Sequence, residues 1–188
     1  MKKMTIIIIF ILLLFGTNNY KDLNNISIIT NIGIDYKNKN YKLIYQEADP
    51  IKEDNKVDNN FKYYTTTCKE LNTCFKDIEE IISKEIYLGH LQNIIITKNK
   101  KNTVYKLDKY IDKDLDDFYI IYSESSINKV LKYSNNYKYL NTLINKNVTY
   151  QSIKKSRLEN GSTNIPSVII RDNVLLFYKY YKVDDKDD

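Results

Sequence analysis

The stretch Tyr87–Thr97, YLGHLQNIIIT, decides how this chain is laid out. Leu91 to Ile96 is a nearly continuous apolar run, too short for a helix, as expected of a strand covered on both faces. Ahead of it, Tyr87-Leu88-Gly89-His90 holds the chain's single histidine beside one of its four glycines. His90 belongs either to a chemical site or to the turn that feeds a buried strand.

Upstream, Thr67-Cys68-Lys69-Glu70 reads as a capping box, the threonine oxygen accepting from the third helical amide and the glutamate reaching back. Behind it Leu71, Cys74, Phe75, Ile78, Ile81 and Ile82 form one apolar stripe and predict an amphipathic helix. Downstream, Val104, Leu107 and Ile111 predict a weaker helix, and Phe118–Tyr122 is a second compact apolar run. Ser126 opens a helical pattern at Ile127, Val130 and Leu131, which Tyr137, Leu140, Leu143 and Ile144 continue.

Hairpins frame this middle. Ile26, Ile28, Ile32 and Ile34 alternate with Ser27, Asn31 and Gly33, and Tyr41, Leu43 and Tyr45 repeat the period after the polar turn Lys37–Asn40. Pro50 is expected to end that hairpin and Lys52–Asn60 to form a charged surface loop; the polar stretch Asn145–Asn164 is expected to be loop-like. Pro166–Ile170, the turn Arg171-Asp172-Asn173 and Val174–Tyr181 predict a second hairpin, after which the acidic tail Asp184–Asp188 should fray. A chain of 188 residues has room for one domain. The fold class expected is mixed α/β (α+β), a central mixed β-sheet with flanking helices in a single domain.

The formal charge is +5, and without Lys2 and Lys3 it is 5 − 2 = +3. The clusters Lys100–Lys101 and Lys154–Arg157 are each followed by acidic residues and make no long one-signed face, so they read as solvated surface and no nucleic-acid partner is expected. Residues 1–19 read as an export signal: two lysines precede an apolar run from Ile6 to Phe15, shorter than the ~20 residues of a spanning helix. The run ends Leu14-Phe15-Gly16-Thr17, the shape of a lipoprotein signal with Thr17 where the acylated cysteine would stand. Cleavage and release, retention as an anchor and a decayed lipoprotein signal are all open. Membrane-associated export is the reading preferred.

Sites of chemistry are sparse. Cys68 and Cys74, placed in one helix by the capping box, would lie about 9 Å apart along the axis and point to different sides, so neither a mutual disulfide nor a metal site with His90 is expected. One histidine without a marked nucleophile makes no triad. Asp112, Asp114, Asp116 and Asp117 lack the glycine and closing glutamate of a calcium loop, and glycine-rich phosphate loops are absent. No catalytic residue, metal or cofactor is expected. Among eighteen tyrosines, Tyr63, Tyr64, Tyr178, Tyr180 and Tyr181 are those able to present an aromatic face, although packing is the preferred reading.

Taken in order, the segments resemble the Ger(x)C family, the C subunits of bacterial spore germination receptors. The resemblance rests on Tyr20–Asn25 after the signal, on Ile32-Gly33-Ile34-Asp35 leading to Tyr41–Pro50, on Glu70–Ile82, on Tyr87-Leu88-Gly89-His90-Leu91 with Ile94–Ile96, on Asp108–Tyr122, and on Pro166–Tyr181. It implies one N-terminal-type domain over 20–183 and a non-enzymatic role in nutrient-triggered germination. The partners implied are integral-membrane A and B subunits and a membrane surface, in the spore inner membrane. In such a domain Gly33, Asp35, Gly89 and His90 shape the fold: Gly89 turns the backbone and His90 caps or packs where the buried strand begins. The alternative is a secreted tyrosine-rich module that binds carbohydrate or a host surface.

Overall fold

The computed structural model describes residues 25–53, 56–111, 115, 118–133 and 148–184, with backbone alone at 49–53 and 56–60. The leader, the pattern Tyr137–Ile144, the aspartates of 112–117 and the last four residues of the acidic tail lie outside the described residues. The strands are β1 (Ile26–Lys37), β2 (Asn40–Glu53), β3 (Lys56–Cys68), β4 (Glu85–Tyr87), β5 (Asn93–Thr97), β6 (Tyr119–Ser123), β7 (Ser162–Arg171) and β8 (Val174–Asp184). The helices are α1 (Leu71–Ile82), α2 (Ile127–Tyr133) and α3 (Tyr150–Asn160), with a 3₁₀ stretch over Lys98–Lys109 kinked at Lys100.

The described strands form one mixed sheet in the order β3-β2-β1-β5-β6-β7-β8, with β4 also pairing β1. β1, β5, β6 and β7 run parallel, and each outer pair, β1–β2–β3 on one side and β7–β8 on the other, is antiparallel. Asn38 and Lys39 (φ 52° and 62°) close β1–β2, and Asp172 and Asn173 (φ 50° and 57°) close β7–β8. Two successive left-handed residues match a tight turn to the twist of its strands, and asparagine and aspartate tolerate them.

The mixed α+β class expected from the sequence is what the fold shows. β5 is buried along its whole length because Ile94 and Ile96 face a core with α1 and α3, while Ile95 faces a second core under α2. Helix α1 buries Leu71, Cys74, Phe75, Ile78 and Ile82, but Ile81 is half exposed. Val104 and Leu107 are buried as expected, on 3₁₀ turns rather than an α-helix.

Four expectations are corrected. Thr67 is no cap: it pairs with Lys42 in β3, and Glu70 stands at the N-terminus of α1 without a side-chain cap bond. The run Thr65-Thr66-Thr67 is β-branched and stiff at χ1, which favours a strand over a cap. Pro50 does not end the hairpin and 56–60 are not loop, since Pro50 pairs with Asn59 and the ladder runs to Glu53 and Lys56. Past Glu47, β3 is the one strand beside β2 among the described residues, so a residue with no N–H is tolerated there. The stretch 145–164 contains α3, capped by Thr149 Oγ1 accepting from Ser152 N (3.3 Å) and closed by Gly161 at φ 64°. Cys68 and Cys74 are joined in a disulfide with Cα atoms 5.5 Å apart. Cys68 ends β3 instead of starting the helix, and the turn at Lys69-Glu70 folds the first turn of α1 back onto it.

Candidate interaction surface

β4 and β5 both lie beside β1, β4 against Ile26–Ile28 and β5 against Asn31–Ile34. The Tyr87–His90 turn is the jog between them, held by Leu91 N donating to Leu88 O and Gln92 N to Thr30 O, both 2.8 Å. A Cβ on Gly89 would meet the Tyr87 hydroxyl at 2.3 Å, so close approach of that ring, and not a left-handed φ, is what a side chain would disturb. His90 is exposed, its ring edge-on to Tyr87 at 5.7 Å, and burial begins at Leu91. Gly33 lies in the sheet directly under α2, and Asp35 Oδ1 accepts from Tyr36 N at 2.9 Å. Gly33 and Asp35 thus lie on β1 beside β5, and Gly89 and His90 in the turn that precedes β5. Among the described residues no group of three metal-ligating side chains occurs, and no helix is long and apolar enough to cross a membrane.

The outermost strand, β8, exposes more. Val174, Leu176, Phe177, Tyr178 and Tyr180 are all more than a third accessible, with Phe177 and Tyr180 rings 5.1 Å apart. A run of exposed large apolar side chains on an edge strand is uncommon in a protein that acts alone. The ladder slips at Ser167/Val168, where Tyr178 is the extra residue between Phe177 and Lys179. Of the other sequence-nominated tyrosines, Tyr63 is exposed on β3, while Tyr64 and Tyr181 are partly buried.

Beside β8, the carboxyl ends of β5 and β6 carry a charged network the sequence did not reveal. Glu124 accepts hydrogen bonds from Lys98 Nζ and from the Tyr181 hydroxyl, and its side chain is 7% exposed. Burial alone would raise the Glu124 carboxyl, but the Lys98 and Tyr181 hydrogen bonds and the charges of Lys98 and Lys179 hold it below the usual range. Burial, and then the carboxylate, push the Tyr181 hydroxyl up to about 12. Lys101 and Lys179 ammonium groups stand 4.2 and 4.5 Å from the Tyr181 ring centre, and Lys179 also lies 5.2 Å from that of Tyr178. Cation–π attraction positions these ammoniums.

A second missed feature is a buried polar row across four strands. Asn93 Nδ2 donates to Asn31 Oδ1 (2.8 Å), Asn31 Nδ2 to Gln46 Oε1 (2.5 Å) and Gln46 Nε2 to the Tyr63 hydroxyl (3.1 Å). Two open clefts also occur: about 530 Å³ beside Asp108, Lys154, Arg157, Leu158 and Gly161, and about 280 Å³ between β3 and α2 beside Ile44, Tyr63, Thr65, Asn128 and Lys132.

The sequence matches the profile of the spore germination protein N-terminal domain over residues 19–165. A solved structure described as "Crystal Structure of the GerBC protein" is similar at 15% identity and a TM-score of 0.38, covering 81% of this chain and 48% of that one. This chain thus spans about half the length of that structure. No curated protein matches.

Proposed function

Because the chain belongs to the spore germination protein N-terminal domain family, we propose that it is a non-enzymatic component of a nutrient germinant receptor, acting by contact in spore germination. The family match over residues 19–165 carries this reading, and the exposed face of β8 supports it by supplying a surface for partners. The partners proposed are integral-membrane A and B subunits at the membrane surface. The localisation proposed is export with membrane association, Thr17 standing where a lipoprotein signal carries its acylated cysteine. Gly33, Asp35, Gly89 and His90 act in shaping the fold, Gly33 by admitting α2 and the Gly89-His90 turn by breaking one extended line into β4 and β5. No cofactor and no nucleic acid enter this reading.

Deleting the gene is expected to abolish or slow germination in response to at least one nutrient, with recovery on complementation. Unchanged germination toward every nutrient the parent strain answers would refute it. A complementing copy with Phe177→Ala, Tyr178→Ala and Tyr180→Ala should accumulate normally and fail to restore the response. The exposed tyrosines of β8 also favour a second reading, a secreted module for carbohydrate or a host surface. Retention of the purified chain on a glycan or cell-surface panel, lost in the same triple variant, would support it.

A further inference from the structure

We infer that Lys98, Lys101 and Lys179, gathered around Tyr181 and Glu124, form a binding site for a phosphate-type oxyanion. Lys98 pairs with Glu124, Glu124 accepts from the Tyr181 hydroxyl, and Lys101 and Lys179 stand at the Tyr181 ring, so these groups together carry 3 − 1 = +2. Lys98 answers Glu124. Among the described residues the Lys101 and Lys179 ammoniums form no ion pair within 4.0 Å; they lie against tyrosine rings, and the Lys179 charge also acts on Glu124. An ammonium over a ring keeps N–H donors turned away from it, so both can still bind an anion.

Geometry favours phosphate over carboxylate. A planar carboxylate is best met by the planar fork of arginine, whereas lysine ammoniums act as point charges that converge on tetrahedral oxygens. Of the two guanidiniums, Arg171 lies 5.9 Å from the Tyr178 ring and Arg157 4.0 Å from the Tyr105 ring, whereas the cations at the Tyr181 ring are lysines. The site stands at the carboxyl ends of two adjacent parallel strands, β5 and β6. Glu124 fixes Lys98 and Tyr181, and Tyr181 in turn seats Lys101 and Lys179, so the donors are ordered before a ligand arrives. The phosphate has two possible sources, a free phosphate compound or the headgroups of a lipid surface. Exposed Tyr178, its ring 5.2 Å from the Lys179 ammonium, would border either.

The inference stands on this geometry and not on the germination reading, so either can fail alone. The test titrates the purified chain with inorganic phosphate, following backbone amides by NMR. In parallel, the chain is sedimented with vesicles of phosphatidylcholine alone or mixed with phosphatidylglycerol. Saturable shifts at Lys98, Lys101, Lys179 and Tyr181 with phosphate identify a free-phosphate site; sedimentation with mixed vesicles alone identifies headgroups. Lys101→Met with Lys179→Met should weaken whichever binding is found about thirtyfold, the factor for two lysines at about 1 kcal/mol each. The charge-matched control Lys106→Met with Lys155→Met should leave it unchanged. Glu124→Gln should tighten binding about fivefold, a gain that misfolding cannot imitate. Absence of both bindings, equal loss in the control pair, or equal competition by polyglutamate, which would mark a docking face for acidic protein, would each overturn the assignment.

Discussion

Gly33→Ala tests how α2 is seated on the sheet. A Cβ at Gly33 would lie 2.4 Å from Ile127 Cγ2, 2.9 Å from Leu131 Cδ1 and 3.5 Å from Ile44 Cβ. Leu131 Cδ1 ends a flexible side chain and can swing away. Ile127 Cγ2 branches next to the helix backbone and is stiff, so relief requires moving α2. Overpacking of this kind costs about 1–3 kcal/mol, and alanine in a strand returns about 0.5–1 kcal/mol of backbone entropy, leaving a net loss of about 1–2 kcal/mol. At this chain length that lowers Tm by about 2–8 °C, measurable by thermal and urea unfolding followed by circular dichroism. The decisive measurement repeats the substitution in an Ile127→Ala background. There the methyl occupies vacated space, so Gly33→Ala should be neutral or stabilising, with a coupling of about 1–2 kcal/mol. An equal cost in both backgrounds, or an increase in wild-type stability, would refute the packing argument.

Three further outcomes are expected. Thiol titration of the unreduced chain should find no free cysteine, and reduction should lower stability by about 2 kcal/mol, the chain-entropy value for so short a loop. Asn31→Leu should cost about 2–4 kcal/mol in urea unfolding, because Asn93 Nδ2 and Gln46 Oε1 each lose a buried partner worth about 1–3 kcal/mol. The Glu124 carboxyl sits below its ordinary 4.5 in the folded chain, so its stabilisation is present above that pH and lost as pH falls further. Lys98 sits above its ordinary 10.5, so its stabilisation is present below that pH and lost as pH rises through the folded value. A stability–pH profile should show both limbs, and Glu124→Gln should flatten both.

What the sequence disclosed follows from which signals are local. The run Ile94-Ile95-Ile96 needs two cores, the stripe Leu71–Ile82 needs one, and Asp172-Asn173 suits a tight turn; each is a statement about a few adjacent residues. Where two local signals compete, context chooses. Thr67 fits a cap and a strand equally well on paper, and the long antiparallel ladder with β2 selected the strand. That choice also decided the cysteines, since moving Cys68 out of the helix turned an impossible spacing into Cα atoms 5.5 Å apart. Helix α3 buries just Tyr150 and Ile153, too few for an apolar stripe, although Thr149 and Gly161 were readable as its ends.

The candidate sites were not legible because they are products of strand order. Asn31, Gln46 and Asn93 each look like a polar interruption in an apolar segment; adjacency of β2, β1 and β5 makes them one hydrogen-bonded row. The basic cluster Lys100–Lys101 reads as solvated because nothing in its own neighbourhood focuses it. The topology alters that: β5 and β6 end on one edge of the sheet, and β8, returning antiparallel to β7, carries Lys179 and Tyr181 past the same edge. One partly buried carboxylate, Glu124, then orders a hydroxyl and an ammonium, and the ring of that hydroxyl orders two more ammoniums. A binding site gains when its charges and rings are held in place before the ligand arrives, since ordering them on binding would subtract from affinity. In this fold that preorganisation comes from the sheet order itself, which is why residues far apart in the chain, rather than any short motif, make the surface.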